Sequence, residues 1–201
     1  MLQVIDGSLA DRRFALTYAD AMFRLRHRVF GERLGWQVEN RDGRETDCYD
    51  DHDSRYLLLT EQQQVLGGWR LRPTTRPYML ADVFPQLLYG QQAPSHPRVW
   101  EVSRFAIDLV DERHARFGFN AAARLLLGAT ARYALDNGID RYVMVASAGA
   151  ERLYRNVGLQ VRRFGPPQQV GKARSVACWV DIDGHTCQTL LGHPLPLAAA
   201  A

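Results

Sequence analysis

The residues of this 201-residue chain that could do chemistry fall into four short runs. The first is Leu25-Arg26-His27-Arg28-Val29-Phe30, followed by Gly35-Trp36. The second is Asp47-Cys48-Tyr49-Asp50, and the third is Gly68-Trp69-Arg70. The fourth is Trp100-Glu101-Val102-Ser103-Arg104-Phe105. Arginine keeps its charge and grips a carboxylate or phosphate through a flat two-pronged fork. Arg26, Asp47, Asp50, Arg70 and Arg104 therefore suit an ion-pair network that orders residues 31–54, or direct contact with a charged ligand, and the two roles are compatible. Residues 41–53 hold six acids against Arg41 and Arg44, which suits a cationic ligand or a solvated loop. His52 stands among Asp50, Asp51 and Asp53 but reads as solvated, and no CxxC or HxxxH offers zinc-ligand spacing. No metal site is expected. Cys48, Cys178 and Cys187 are an odd, widely spaced set that reads as free thiols in a reducing compartment, and Cys48 has no dedicated base nearby.

These runs must be positioned by elements that the apolar spacing predicts. LQVI at residues 2–5 reads as a strand, and Ser8 as the cap of a helix through about Arg28. Residues 31–54 lack periodicity and read as a long loop, a length usually kept for function. Strands are expected near Tyr56–Thr60, Val65–Arg72, Arg98–Ile107, Tyr142–Ala146, Leu159–Phe164 and Ser175–Ile182. Helices are expected over 78–90, over 120–137 with Asn120 as cap and Gly138 as stop, and over 148–157 closed by Gly158. This alternation predicts an α/β fold, a three-layer α-β-α sandwich around a mixed twisted sheet. One domain spanning 1–201 is expected, with 193–201 (HPLPLAAAA) a frayed tail.

Composition narrows the function classes. Hydrophobic residues make up 46% and charged residues 23%, ordinary globular usage that excludes disorder and coiled coil for the whole chain. Mean hydropathy is −0.29, and no apolar run approaches a membrane span, so stable membrane association is not expected. The acidic opening lacks a secretory pattern, which implies a cytoplasmic protein. A pI near 8.9 raises nucleic acid as a partner, but neither a helix-turn-helix nor interleaved aromatic and basic residues supports it. The basic charge concentrates instead in 141–174, where seven basic residues face Glu151 alone, a docking patch for an acidic or phosphorylated partner or simply a solvated face.

Taken in order, R-x-x-V-F, G-W, D-x-x-D, W-R and E-x-S-R-F, with TTRPYML (74–80) and RFGPP (163–167), resemble the acyl-homoserine lactone synthases of bacterial quorum sensing over about the whole chain. The piece strand, ERLYRNVG (151–158), strand is similar to the C-terminal half of the acyl-CoA N-acyltransferase-like fold. The resemblance implies two substrates, S-adenosylmethionine and an acyl thioester on acyl carrier protein, with no metal or redox cofactor. The amine of the sulfonium substrate takes the acyl group, and its carboxylate then displaces methylthioadenosine to close the lactone. Arg26, Phe30, Trp36, Asp47, Asp50, Arg70, Glu101, Ser103 and Arg104 occupy the family's characteristic positions, and Phe105 closes the last motif.

Physical chemistry suits these assignments. Aromatic faces such as Phe30 and Trp36 attract a sulfonium. A free α-amine has a pKa of ~8 and must lose a proton before it attacks, so Glu101 is the candidate base, directly or through water. Ser103 or a neighbouring backbone N–H is the candidate oxyanion donor. Catalysis is thus expected from Glu101, Ser103 and Arg104, and substrate binding from Arg26, Phe30, Trp36, Asp47, Asp50, Arg70 and Phe105. Val102, Phe105, Leu127, Met144, Ala146, Leu153 and Tyr154 are expected to line the acyl pocket, each with ordinary core packing as its plain alternative. Members making 3-oxo products often carry Thr where Met144 stands, so the resemblance implies an unsubstituted or 3-hydroxy chain of medium length. Arg152, Arg155, Arg162, Arg163 and Lys172 are expected to dock the acidic carrier. The competing reading is a CoA-dependent N-acyltransferase of the same fold. Its [QR]-x-x-G-x-[GA] phosphate loop is not matched by the residues before the 120–137 helix, where Ala115 precedes Gly118 by three and Asn120 replaces the last small residue.

Overall fold

Two strands that part company define the frame of the molecule. In a computed structural model, which describes residues 1–109, 112–115 and 118–192, eight strands form one sheet. They are β1 (Gln3–Gly7), β2 (Arg55–Glu61), β3 (Gln64–Pro73), β4 (Val99–Ile107), β5 (Arg141–Ser147), β6 (Arg162–Arg163), β7 (Gln168–Val170) and β8 (Ala173–Asp181). Their order is β1-β2-β3-β4-β5-β8-β6, with β7 paired to β8 beside that path. Every pairing is antiparallel except β4 with β5. That parallel pair is joined only at Val99–Arg141, Trp100–Tyr142 and Glu101–Val143. Beyond Glu101 and Val143 the two strands no longer pair with each other, so the sheet is split down its middle. The tail at 193–201 lies outside the described residues.

Helices cover both faces, as a three-layer sandwich requires. On the front, residues 12–33 are continuously helical. Two α-helical pieces, α1 (Arg12–Phe14) and α2 (Asp20–Arg26), alternate with π-helical Ala15–Ala19 and His27–Arg33. Phe14, Met22, Leu25, Val29 and Phe30 pack there on Tyr56, Leu58 and Ala106. Also on the front, α3 (Met79–Asp82) and a 3-10 turn at Pro85–Leu88 pack through Leu80, Leu87 and Leu88 on Val143 and Ala177. The short α4 (Glu112–Ala115) precedes α5 (Phe119–Asp136). On the back lie α5, α6 (Ala148–Val157) and α7 (Gly184–Leu191), around Trp69, Val102, Leu126, Leu127, Met144 and Tyr154.

Several expected boundaries move, each for a local reason. Asp11, not Ser8, caps the first helix by accepting from the N–H groups of Arg13 (2.8 Å) and Phe14 (3.1 Å). The helical run reaches Arg33 because its π turns carry it past Arg28. Gly118, at φ 71°, takes the cap position of α5, which leaves Asn120 inside the first turn. The expected 78–90 helix is two pieces, since Pro85 cannot donate into the first. The 159–164 strand shrinks to β6, and β7 and α7 were not foreseen. Ser147 and Gly158 bound α6, the latter at φ 102° as its expected stop.

Candidate active site

The front face buries charge. Arg70 is fully buried, because β3 alternates: Trp69 faces the back, where its indole N–H donates to Thr130 Oγ1 at 2.9 Å, and Arg70 faces the front. Arg70 Nη1 donates to Asp47 Oδ1 at 2.5 Å and to Asp50 Oδ1 at 2.9 Å, and its Nε to Ser103 Oγ at 3.2 Å. Arg26 from α2 grips Asp50 through two bonds of 2.7 and 2.9 Å and donates from Nε to Glu45. Arg104 donates from Nε (3.0 Å) and Nη2 (2.9 Å) to Glu45 Oε1, and its Nη2 reaches Asp47 Oδ2 at 2.6 Å. Three guanidiniums thus meet three carboxylates, so the formal charge cancels inside a poorly solvated volume. Burial opposes ionisation of Asp50, but Arg26, Arg70 and the Asp47 N–H outweigh it and hold its carboxyl at about 2. Burial likewise opposes charge on Arg26, and Asp50 and Glu45 more than compensate, raising its pKa.

A bulge aims Arg104. Register passes from Arg70–Ser103 to Gly68–Ala106, so β4 carries one residue more than β3 across this stretch. Arg104 absorbs the extra residue at φ 60°, rare for a side chain with a Cβ, which marks a backbone held by its surroundings. The segment expected as a long loop is tied down as well: the Glu45 N–H donates to Phe23 O at 3.1 Å, and Arg41 pairs with Arg44 across a turn. Beside this network, Phe30 and Trp36 stack with centroids 5.2 Å apart and planes 14° apart. Trp36 is 38% exposed, and the Arg104 guanidinium lies 5.8 Å from the Phe30 centroid. These groups set an aromatic wall beside a buried ionic floor.

Glu101 sits where β4 and β5 separate, 1% exposed. Its oxygens accept from the N–H groups of Met79 (3.1 Å) and Leu80 (2.7 Å), which fixes the start of α3. Burial pushes its carboxyl up to about 7, against the opposing pull of those N–H groups and of Arg70 and Arg104. An acid poised there holds or releases a proton near neutrality.

The back face is apolar. A cavity of about 30 Å³ lies between the sheet, α5 and α7. Val102, Leu127, Met144 and Tyr154 are among the residues that line it. Ala146 belongs to the same core without reaching the cavity, and Leu153 packs at the core's margin. Phe105 lies on this face too, edge-on to Trp69 at 5.3 Å and to Tyr154 at 6.2 Å, because the bulge turns it away from the ionic network.

Comparison with known proteins follows this geometry. Residues 12–190 match the family model described as autoinducer synthase. The chain belongs to that family. It is similar to the acyl-homoserine-lactone synthase of Pseudomonas aeruginosa, 41% identical over 174 residues that span 85% of this chain and 86% of that one. It superposes on the crystal structure of the acyl-homoserine-lactone synthase LasI with a TM-score of 0.89, at 38% identity and 99% coverage of each chain. It also superposes on BjaI, a CoA-dependent synthase solved with S-adenosylmethionine and isopentyl-CoA, with a TM-score of 0.85, at 34% identity and coverage of 96% and 89%.

Within this autoinducer synthase, the basic residues of 141–174 divide into two groups. Arg155 and Arg163 both pair with Glu151, at 3.0 and 2.7 Å, and Arg162 lies 3.6 Å from Asp181. Arg152 is exposed on α6. Lys172 stands apart on the β7–β8 turn, its Nζ 3.6 Å from where a Cβ on Gly35 would sit. Sequence reasoning missed Glu45 and Met79 at the ionic site, and Thr130, Tyr142 and Thr186 in the cavity. Glu45 was visible as one of six acids in 41–53, but nothing in its spacing separated it from its solvated neighbours. Among the described residues, no group of three or more His, Cys, Asp or Glu is placed to hold a metal, and no helix is long and apolar enough to cross a membrane.

Proposed function

We infer that the protein is an acyl-homoserine-lactone synthase that works on S-adenosylmethionine and an acyl thioester of acyl carrier protein. The observation that carries this reading is the place of Glu101: at the fork of a split sheet, with the aromatic wall and ionic floor on one face and an apolar cavity on the other. The sulfonium lies against Phe30 and Trp36, which attract cations through their faces. Arg104 takes the substrate's carboxylate, and Asp47, Asp50, Arg26 and the buried Arg70 hold it in place. The acyl chain passes through the split into the cavity behind Val102, Leu127 and Met144.

In the first step the amine nitrogen forms a bond to the thioester carbonyl carbon. Glu101 takes the proton that the nitrogen gives up, directly or through a water. The Ser103 hydroxyl, or a backbone N–H left unpaired by the split, donates to the oxygen as it becomes negative. The carbonyl re-forms, the C–S bond breaks, and the thiolate leaves with the proton. In the second step the carboxylate oxygen bonds to the γ-carbon, whose bond to the sulfonium breaks, releasing neutral methylthioadenosine and the lactone. Neither step needs a metal or a redox cofactor. Both substrates are cytoplasmic, and so is the enzyme. The exposed Arg152, with Arg155, Arg162 and Arg163, supplies the basic face that an acidic carrier meets, and Lys172, apart beside Gly35, lies outside it.

The test supplies purified protein with S-adenosylmethionine and either an acyl carrier protein thioester or the matching CoA thioester. Lactone and methylthioadenosine should form in equal amounts, faster from the carrier form, whose KM should rise with salt. A folded protein that yields no lactone from either thioester overturns the function. Equal, salt-independent KM values overturn the carrier assignment alone.

A further inference from the structure

Met79 is the residue at which the arginines and the buried acid meet. Its backbone N–H donates to Glu101 Oε2 at 3.1 Å. Its side chain is buried, and two guanidiniums converge on its sulfur: Arg70 Nη2 donates to Sδ at 3.2 Å and Arg104 Nη1 at 3.0 Å. The other hydrogen bonds of these two arginines go to Glu45, Asp47, Asp50 and Ser103. A thioether is a weak, uncharged acceptor on a flexible stem. A carboxylate in its place would add a fourth negative charge to a balanced network. A purely aliphatic group would leave one buried N–H donor of Arg70 and one largely buried donor of Arg104 facing no acceptor. Sulfur holds both guanidiniums in one orientation, yet yields to a stronger acceptor.

We propose that Met79 is a positioning residue whose sulfur, anchored by the buried Arg70, clasps Arg104 in the orientation that receives the carboxylate of the sulfonium substrate. This rests on the reading of the aromatic wall and ionic floor as that substrate's site. The role differs from packing, because an acceptor of another element can replace sulfur while an apolar side chain of equal shape cannot.

Calorimetry of S-adenosylmethionine binding, with steady-state kinetics, tests it on the parent protein and on Met79→Leu and Met79→Gln. Met79→Leu removes the acceptor at nearly constant volume and should weaken binding of S-adenosylmethionine about tenfold, the effect of one hydrogen bond to a charged group. The KM for the thioester and the pH midpoint of kcat/KM should stay put, because the backbone bonds to Glu101 remain. Met79→Gln sets an amide oxygen near the same place and should bring binding back to within about threefold of the parent. The reverse order, with Leu like the parent and Gln impaired, means packing and overturns the proposal. So do equal losses in both variants, or a KM that rises alike for both substrates. If the parent itself binds no S-adenosylmethionine, the reading of that site fails, and this inference with it. Should Met79→Leu not fold, replacing the four methionines by norleucine removes the sulfur at constant shape. Undiminished binding in that protein overturns the proposal as well.

Discussion

The two faces of the sheet solve the same problem, burial beside a split, with opposite chemistry. In front, Arg26, Arg70 and Arg104 meet Glu45, Asp47 and Asp50, and each group is held by a named partner. Behind, Val102, Leu127, Met144 and Tyr154 surround a cavity whose only demand is shape and volume. Ionic burial is unforgiving, because removing one partner strands the other without solvent. Apolar burial tolerates exchange at constant volume. On the proposed reading, the front face therefore fixes one small substrate, while the back face is free to vary the length of the other.

The largest expected difference between the faces is in stability. Arg70→Met keeps most of the volume but leaves Asp47 and Asp50 short of a partner, and should cost about 3–5 kcal/mol. Met144→Leu on the back should cost less than about 1.5 kcal/mol. Urea denaturation of the two variants measures both. Similar losses would mean that the faces do not differ as their chemistry requires.

Next in size is the loss of the group at the fork. Glu101→Gln keeps the shape and one of the two acceptor oxygens that the Met79 and Leu80 N–H groups use, so the fold should hold at some cost in stability, while kcat falls about 10²–10³-fold. The pH dependence has a definite sign. The base must be ionised, and burial raises its carboxyl to about 7, so kcat/KM should rise as pH climbs through that value. In Glu101→Gln that limb should vanish, leaving the substrate amine's own rise near ~8. A limb that persists in the variant would assign the proton to another group.

How much of this was legible in the sequence depends on the range of the interaction. The strands that carry the site were readable because alternation is local, and α6 was bounded correctly because Ser147 and Gly158 act on their own turn. The motif residues Arg26, Asp47, Asp50, Arg70 and Arg104 were expected to form one network, and the fold brings all five together. The back-face position of Phe105 rests on a bulge that strand alternation alone does not reveal. One extra residue at Arg104 exchanges the faces of everything after it. α7 escaped notice because its cap, Asp183, sits in a polar stretch without apolar periodicity, and with it went Thr186 and Leu190 of the cavity wall. Glu45 and Met79 gain their meaning only from partners 19 to 59 positions away in the chain for the acid, and 9 and 25 for the sulfur.

The smallest expected effect touches the back face alone. Met144 stands on β5 just past the last residue paired with β4, in the cavity wall opposite Leu127 on α5. Met144→Trp should fill part of that cavity and shorten the acyl chain it accepts. Each buried methylene contributes about 0.8 kcal/mol, so a pocket shorter by two methylenes disfavours the longer chain by about 1.6 kcal/mol, somewhat more than tenfold in kcat/KM. Competition between two thioesters that differ by two carbons, with the lactones separated by mass, reads this ratio directly. Binding of S-adenosylmethionine should be unchanged, because Met144 lies across the sheet from the ionic network. A variant that weakens S-adenosylmethionine binding while leaving chain preference intact would show that the split sheet couples the two faces instead of dividing their labour.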